Sequence, residues 1–267
     1  LVKSVWDSKK NTSKQETIKY LGKATHVLND DIPIDYRNDP KILSGLAKYN
    51  PKDVEKRNVA LKKIKQQLYK KMTNGDVQET LKIYEEYIKN FDTVDFFDKI
   101  LKPVMSEIGS DWENNKISIA TEHVASNIAQ TLVKNIMDQV KRNDNKKKIL
   151  ICVPVGEEHH LGCDVLETYL SSKGFKIYNM GTSMPTESIL NFIDNNKPDA
   201  IIISITIKDN LLAGQRLVRK INKECNIPIF IGGLAIQEKN IPKFDGKIIG
   251  DMDLKEIKKE IGCEING

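Results

Sequence analysis

The hydrophobic pattern of the chain changes twice and divides it into three segments. Residues 1–50 show no sustained helical or strand period, and the stretch "NDDIPIDYRNDP" is rich in the Pro, Asn and Asp residues that oppose helix formation. We therefore expect an irregular N-terminal arm or linker in this segment. A strap that binds a partner is the alternative interpretation.

Residues 51–143 carry apolar positions at helical spacing. "PKDVEKRNVALKKIKQQLYKKM" has a proline at a first-turn position and ends before Asn-Gly, and the next segment places Leu81, Tyr84 and Ile88 on one face. "TVDFFDKILKPVMSEIGSDWENN" and "SIATEHVASNIAQTLVKNIMDQVKR" predict two more helices, with Pro103 kinking or starting the third. Four amphipathic helices with short connections predict a four-helix bundle.

Residues 147–267 alternate strand and helix patterns. The strands "KILICVPV", "FKIYNM", "DAIIISI", "IPIFIGG" and "KIIGD" are nearly continuous Ile/Val runs, as expected when both faces of a sheet are covered. Helices are predicted to start near Leu161, Pro185, Asp209 and Asp253. The predicted fold class is α/β, in which the arm and the bundle precede a Rossmann-like (flavodoxin-like), doubly wound parallel sheet.

Composition narrows the class of protein. Hydrophobic residues make up 39% and charged residues 30% of the chain, which is typical of a globular domain. The net charge of +5 is mild and does not by itself indicate nucleic-acid binding. No apolar run is long enough for a membrane span, and no secretory signal pattern is seen. Four scattered cysteines without CxxC spacing favour a reducing, cytoplasmic location.

The turn after the first strand of the sheet, "VGEEHHLG", holds the first candidate chemistry. Glu157, His159 and Gly162 fall at the carboxyl ends of the strands, where such sheets bind ligands. Glu157 can accept a hydrogen bond from one ring nitrogen of His159, which fixes the tautomer and makes the other nitrogen a better metal ligand. Gly162 removes a side chain where a flat ligand would press on the backbone. A polar turn that enters a helix is the alternative.

Two further features lie at the same predicted edge. Ser204 and Thr206 end the third strand, and the pair Gly232 and Gly233 ends the fourth. Paired glycines can leave a slot for a slim planar group, with the Ser204 hydroxyl inside it. Taken singly, each feature is explained as an ordinary turn at the end of a strand.

Together these residues resemble the cobalamin (vitamin B12) binding domain shared by methionine synthase, methylmalonyl-CoA mutase and corrinoid proteins. The motif of that family is Asp-x-His-x-x-Gly, followed by Ser-x-Leu and Gly-Gly. Here Glu157-x-His159-x-x-Gly162 is followed by 41 residues, Ser204-x-Thr206, 25 residues and a Gly-Gly pair. Glu replaces the family's Asp, and Thr replaces its Leu.

The resemblance implies a role for each of these residues. His159 would be the lower axial cobalt ligand in a base-off, His-on state, with Glu157 as its hydrogen-bond partner. Ser204, Thr206 and the glycine pair would line the slot that holds the displaced dimethylbenzimidazole tail.

The helical half carries a second resemblance. Trp112 is followed by nine residues and then Glu122-His123, which is similar to the Trp-x9-Glu-His signature of the CarH-type adenosylcobalamin photoreceptors. The resemblance implies an indole over the adenine or ribose of an adenosyl group, with Glu122 and His123 making polar contacts. The alternatives are a core position for Trp112 and a helix-capping role for Glu122-His123.

Two departures from that family limit what carries over. Residues 1–50 show no MerR-type helix-turn-helix pattern, so DNA binding is not expected here. Glu113 stands where some members have a histidine that caps cobalt after photolysis, which puts that cap in doubt. His123 or His160 could substitute, although His160 fits better as a surface residue at the start of a helix.

These observations predict an adenosylcobalamin-binding sensor or regulator. Photolysis of the cobalt–carbon bond would alter the bundle and an interface with an unknown protein partner or a second copy. The alternative is a corrinoid protein that carries a methyl group, as methylcobalamin, for cobalamin-dependent methyltransferases. A cobalamin store, chaperone or mutase-type subunit is a third class.

Overall fold

A computed structural model describes residues 1–7, 12–22, 27, 29–37, 39, 42, 51–140, 147–238 and 240–266. The chain divides into two compact units, Leu1–Leu68 and Tyr69–Gly267. The division falls inside the first long helix, whereas the hydrophobic pattern places its first division near residue 50. Of the predicted arm, residues 8–11, 23–26, 28, 38, 40–41 and 43–50 lie outside the described ranges.

The N-terminal unit contains a β-hairpin where the sequence predicts an irregular arm. Strands β1 (Val2–Asp7) and β2 (Thr12–Thr17) pair antiparallel, with Val2 opposite Thr17. β2, "TSKQET", has no apolar position, so the alternation that usually reveals a strand is missing. The proline-rich stretch forms single 3-10 turns at Asn29–Asp31 and Ile34–Tyr36 rather than an extended linker.

The helices predicted for the bundle are all present. They are α1 (Pro51–Thr73), α2 (Val77–Ile88), α3 (Thr93–Phe96), α4 (Lys102–Glu113) and α5 (Ile119–Asp138), and a π-helical turn (Phe97–Leu101) joins α3 to α4. Asp76, Asp92 and Ser118 cap α2, α3 and α5 through backbone N–H groups at 3.2, 2.7 and 3.1 Å. Pro103 is the second residue of α4 and directly follows the π-helical turn, within a helical run that is continuous from Thr93 to Glu113.

The sheet has five parallel strands in the order β4-β3-β5-β6-β7. They are β3 (Lys148–Cys152), β4 (Lys176–Asn179), β5 (Ala200–Ser204), β6 (Ile229–Gly232) and β7 (Lys247–Ile248). The accompanying helices are α6 (Leu161–Ser172), α7 (Thr186–Asn196), α8 (Leu211–Glu224) and α9 (Leu254–Asn266). Their starts lie within two residues of the predicted positions, and the doubly wound fold is confirmed.

The strand order determines where a ligand can bind. The chain passes from β3 outward to β4 on one side and then returns to β5 on the other, so the loops after β3 and β5 diverge. Such a switch point opens a crevice at the carboxyl edge of the sheet. The strand residues from Ile149 to Cys152 and from Ala200 to Ile203 are fully buried, so this edge rests on a rigid apolar core.

Helices α2 to α5 of the bundle and the sheet domain belong to the same compact unit. Helix α5 packs against α6, and α6 begins directly after the turn that holds His159. At a second junction, the Asp98 carboxylate of the π-helical turn accepts the N–H of Leu254, at 3.4 Å, at the start of α9. Among the helices of the described ranges, none is long and apolar enough to cross a bilayer.

Candidate functional site

Glu157 is the structural centre of the turn after β3. The residue is fully buried, and its Oε1 accepts the N–H of His159 at 3.1 Å. Its Oε2 accepts the N–H groups of Thr206 and Ile207, both at 2.9 Å, and the side-chain amide of Asn210 at 3.1 Å. A buried carboxylate is tolerated only when it has such partners, so this glutamate links the loops after β3 and β5.

The same contacts determine the charge of Glu157. Burial opposes ionisation, but hydrogen bonds from His159, Ile207 and Asn210 outweigh it and lower the pKa of the carboxyl to about 2. Glu157 is therefore a fixed anion throughout the physiological pH range.

His159 is oriented by that anion. Its Nδ1 lies 2.8 Å from Glu157 Oε1, and a carboxylate without a proton can only accept, so Nδ1 carries the hydrogen. Glu157 raises the pKa of His159, burial partly opposes the rise, and Glu122 and Glu158 add smaller contributions. The side chain is 45% exposed, and within the described ranges we find no hydrogen-bond partner for Nε2. A neutral imidazole held in this way presents Nε2 to a metal.

The surroundings of His159 limit the kind of metal centre. Among the described residues, no group of three or more His, Cys, Asp or Glu side chains is arranged to hold a metal ion. Within those residues His159 stands alone as a candidate ligand, as would be needed by a metal whose other positions are filled by a ligand of its own. A cobalt ion enclosed in a corrin ring meets this condition.

Gly162 lies in the first turn of α6 beside open space. A Cβ built on this residue would meet no heavy atom within 4 Å, so the packing of the chain does not require a glycine there. The observation fits a position kept clear for a bulky ligand.

The glycine pair after β6 has a different explanation. Gly233 has φ +102°, and a Cβ on it would lie 2.2 Å from the carbonyl oxygen of Ile205, so the fold itself requires this glycine. A Cβ on Gly232 would make an ordinary contact with Ile249 at 3.4 Å. The slot that the pair was expected to leave stays a prediction.

Ser204 and Thr206 lie where the motif places them. Ser204 is 6% exposed and pairs with Gly232 across the sheet, and it partly offsets the rise that burial causes in the pKa of the neighbouring Cys163 thiol. Thr206 is half-buried, and its backbone N–H, rather than its side chain, contacts Glu157. The role of its side chain in the slot also stays a prediction.

Two residues that the sequence reasoning missed brace the same turn. The amide of Asn210 donates to the carbonyl of Gly156, at 3.2 Å, as well as to Glu157. The hydroxyl of Ser183, in the loop after β4, accepts the N–H of Gly156 at 2.8 Å. Both are polar residues just beyond predicted strands, and this position was the one sign in the sequence that they could belong to the site. Their shared partner, Gly156, lies 27 residues from Ser183 and 54 residues from Asn210 along the chain, so the sequence did not show the contacts.

The predicted residues of the bundle lie at the end of α4 and the start of α5. Trp112 is half-buried, one residue before the end of α4. The Glu122 side chain is 12% exposed; its Oε1 accepts the hydroxyl of Ser126 at 2.7 Å, and its Oε2 lies 2.5 Å from His123 Nδ1. His123 is 67% exposed. Ser118 caps the helix, so the alternative interpretation of Glu122-His123 as the capping pair is wrong.

One carboxylate of the bundle lies near His159 of the sheet domain. Glu122 is one of the carboxylates whose charge raises the pKa of His159, so the start of α5 lies within electrostatic range of the candidate metal ligand. His160 is held separately, with Nδ1 3.2 Å from the Glu158 carbonyl and Nε2 3.6 Å from Asp164. The candidate site therefore combines a buried acid–histidine pair in the sheet domain with a carboxylate of the bundle, and the place of Trp112 in it stays a prediction.

Comparison with protein families identifies two regions of the chain. Two family models, each described as a B12 binding domain, match residues 64–136 and residues 147–253. The first covers most of the bundle, and the second covers the sheet with Glu157, His159, Ser204 and the glycine pair. The fold and the site define a protein with B12-binding domains, one matched over residues 64–136 and one over residues 147–253.

The relatives of this chain include transcriptional repressors and methanogen corrinoid proteins. The transcriptional repressor CarH of Myxococcus xanthus is 20% identical over 155 residues, which are 57% of this chain and 52% of the repressor. Trimethylamine corrinoid protein 1 of Methanosarcina acetivorans is 21% identical over 197 residues, which are 70% of this chain and 91% of that protein. The chain spans about half the length of the CarH and CarA repressors.

A solved structure shares the fold. The monomethylamine corrinoid protein of Methanosarcina barkeri matches with a TM-score of 0.65 and 17% identity, over 76% of this chain and 99% of that chain. The combination of helical bundle and Rossmann-like sheet is thus confirmed. The chain is homologous both to CarH and to methanogen corrinoid proteins.

Proposed function

We propose that this chain binds adenosylcobalamin and acts as a light-responsive sensor or regulator. His159 would bind the cobalt from below, with Glu157 as its orienting partner, and Trp112, Glu122 and His123 would contact the adenosyl group from above. The observation that carries the proposal is the position of Glu122, which is largely buried at the start of α5 and within electrostatic range of His159.

The residues of the sheet domain suit the lower face of the cofactor. Glu157 holds hydrogen on Nδ1 of His159, Nε2 has no partner in the described ranges, and the space beside Gly162 is open. A single histidine ligand of fixed tautomer is what a corrin-bound cobalt needs from the protein.

The residues of the bundle suit an adenosyl group. An ionised carboxylate accepts hydrogen bonds from ribose hydroxyls, and an indole offers a large apolar face to a ribose or adenine. Bound adenosylcobalamin supplies a cobalt–carbon bond that light can break. Trp112 and Glu122 would lose their partner when the adenosyl group leaves, and α5 could then shift against α6. Such a shift would change the surface offered to a protein partner or to a second copy.

The test is the visible spectrum of the protein with adenosylcobalamin, recorded in the dark and after green light, together with its size in solution. We expect a spectral change and a change in size or in partner binding. An unchanged spectrum would reject the proposal. Trp112→Ala should weaken adenosylcobalamin binding about tenfold or more while hydroxocobalamin binding changes little. Phe91→Ala, a 44% exposed aromatic in the same bundle, is the matched control and should affect neither.

A methyl carrier is the second candidate. It is favoured by coverage, because the chain matches 91% of trimethylamine corrinoid protein 1 and 99% of the monomethylamine corrinoid protein. This function predicts tight methylcobalamin binding and methyl transfer when a partner methyltransferase is added. An equal effect of Trp112→Ala on methylcobalamin and adenosylcobalamin would favour it over the light sensor.

A further inference from the structure

The turn between α4 and α5 connects the two residues proposed to face the adenosyl group. Trp112 immediately precedes it and Glu122 lies in the first turn that follows. The relative position of these two side chains therefore depends on the path of the backbone through residues 113–118. A residue that fixes the backbone of this segment therefore also fixes how the side chains of Trp112 and Glu122 lie relative to each other.

Asp111 holds the turn from one end. Its Oδ2 accepts the hydroxyl of Tyr69, in α1, at 2.9 Å, and its Oδ1 accepts the ammonium of Lys116, within the turn, at 2.8 Å. Its backbone carbonyl accepts the N–H of Lys116 at 2.8 Å. One residue thus ties the end of α4 both to the turn and to a third helix.

The remaining contacts of the turn are local. Asn115 adopts φ +57°, an uncommon conformation for a residue with a side chain, and its N–H reaches the carbonyl of Trp112 at 2.9 Å. The side chain of Asn114 donates to the carbonyl of Ser110 at 2.7 Å. These bonds close the end of α4 but do not join it to another helix. Within the described residues, the hydrogen bond that joins the end of α4 to another helix is the one between Asp111 and Tyr69.

The charges of this network are complementary. Lys116 and then Tyr69 lower the pKa of Asp111, while burial and Asp111 raise the pKa of Tyr69 to about 12. The carboxylate is therefore an ionised acceptor and the phenol a neutral donor at any pH near neutrality. The Asp111 side chain is 18% exposed, so water competes little for it.

We propose that Asp111 is a positioning residue for the upper face of the cofactor site. By bonding Tyr69 and Lys116, it fixes the α4–α5 turn against α1 and so sets Trp112 relative to Glu122. This inference rests on the proposed function, because it assigns a task to Asp111 only if Trp112 and Glu122 contact an adenosyl group.

The experiment compares the dissociation constants of adenosylcobalamin and hydroxocobalamin in the dark, measured on the full chain. Asp111→Ala removes both side-chain hydrogen bonds of Asp111 and should weaken adenosylcobalamin binding about fivefold or more, while hydroxocobalamin binding changes less than about twofold. Asp76→Ala is the matched control: Asp76 also pairs with a lysine, Lys71 at 3.1 Å, but it lies at the start of α2, where it accepts the N–H of Glu79. It should not discriminate between the two cobalamins.

Tyr69→Phe tests the same point without altering the turn. It removes one bond to Asp111 and should weaken adenosylcobalamin selectively, by about twofold to fivefold. Tyr84→Phe is its control, because the Tyr84 hydroxyl bonds Thr93 at 2.9 Å elsewhere in the bundle. If Asp111→Ala fails to fold, the comparison of the two tyrosine variants decides alone.

The outcomes separate this inference from the proposed function. If Trp112→Ala is selective for adenosylcobalamin but Asp111→Ala and Tyr69→Phe weaken both cobalamins equally, Asp111 is merely structural and the inference is overturned. If Trp112→Ala itself shows no selectivity, the proposed function fails first.

Discussion

The two halves of the candidate site are built in different ways. In the sheet domain, Glu157 is fully buried and all its donors except His159 come from the loop after β5, 49 to 53 residues further along the chain. In the bundle, the partners of Glu122 are His123 and Ser126 on its own helix, and His123 is largely exposed. The lower half is therefore part of the folded core, whereas the upper half is a local arrangement on one helix.

This difference indicates which half affects the stability of the folded protein and which half affects mainly the binding of a ligand. Changes in the lower half should cost folding stability even without cofactor, because they leave buried groups unpaired. Changes at the start of α5 should cost little until a ligand is bound. The following variants test that contrast, from the largest expected effect to the smallest.

Glu157→Gln should cause the largest loss. The pKa of Glu157 is depressed to about 2 from 4.5, so its ionised form contributes about 3 kcal/mol of stability that is present above pH 4.5 and lost as the pH falls toward 2. A glutamine cannot accept from all the donors, and its amide would face N–H groups. We expect a loss of about 3 kcal/mol at pH 7 in denaturant unfolding of the protein without cofactor, and a smaller difference from the wild type at pH 3.

Glu158→Gln is the control for this variant, because Glu158 is the exposed neighbour in the same turn. It should stay within about 0.5 kcal/mol of the wild type. A similarly small loss of stability for Glu157→Gln would contradict the view that the lower half is part of the folded core.

Asp98→Asn should raise the stability of the protein at neutral pH rather than lower it. Asp98 lies away from His159, at the junction of the bundle and the sheet domain. Burial and then Asp253 raise the pKa of Asp98 to about 6 from 3.8, with Leu254 and Lys102 partly offsetting the rise. The native state therefore loses stability as the pH rises from 3.8 through about 6. Asparagine removes that charge but can still accept the N–H of Leu254, so we expect about 1–3 kcal/mol of added stability at pH 7 and little below pH 4.

Unfolding curves between pH 4 and 8 measure the Asp98 effect. Asp95→Asn, three residues earlier and paired with Lys99 at 3.4 Å, is the matched control and should show no such gain. Lower stability of Asp98→Asn at pH 7 would contradict the assignment of burial as the dominant cause.

Gly162→Ala should leave the fold nearly unchanged. Nothing lies within 4 Å of the added methyl group, and alanine is favoured over glycine in a helix by up to about 1 kcal/mol. Binding of cobalamin should nevertheless weaken if the open space is kept for the cofactor. Gly109→Ala makes the same change in open space within α4 and should not affect binding, so equal affinities of both variants for hydroxocobalamin would show that Gly162 is not at the cofactor.

Glu122→Gln should have the smallest effect on the protein without cofactor. Its amide oxygen can still accept from Ser126, and the pair with the exposed His123 contributes little, so we expect a change within about 0.5 kcal/mol. Thermal or denaturant unfolding without cofactor is the measurement. A loss above about 1 kcal/mol would mean that the upper half is also part of the folded core.

The local pattern of hydrophobic residues predicted most helices and strands, but it missed the N-terminal hairpin and the π-helical turn. The starts of α6 and α9 and the short strand β7 follow from Ile/Val runs and helical spacing, and the structure confirms them. The hairpin of β1 and β2 was missed because its residues are mostly polar, and the π-helical turn before α4 leaves no periodic signature of its own. Periodicity detects an element only where one face of it is apolar.

The candidate site shows the same division. The sequence by itself determined the spacing of Glu157, His159 and Gly162, because a turn that joins a strand to a helix keeps these residues close in any fold. Only the tertiary structure decided that Glu157 is buried, and that the loop after β5 supplies the donors which keep it ionised. It alone also brought Glu122 of the bundle within electrostatic range of His159. The physical reason is distance along the chain, since contacts between residues tens of positions apart depend on how whole strands and helices pack.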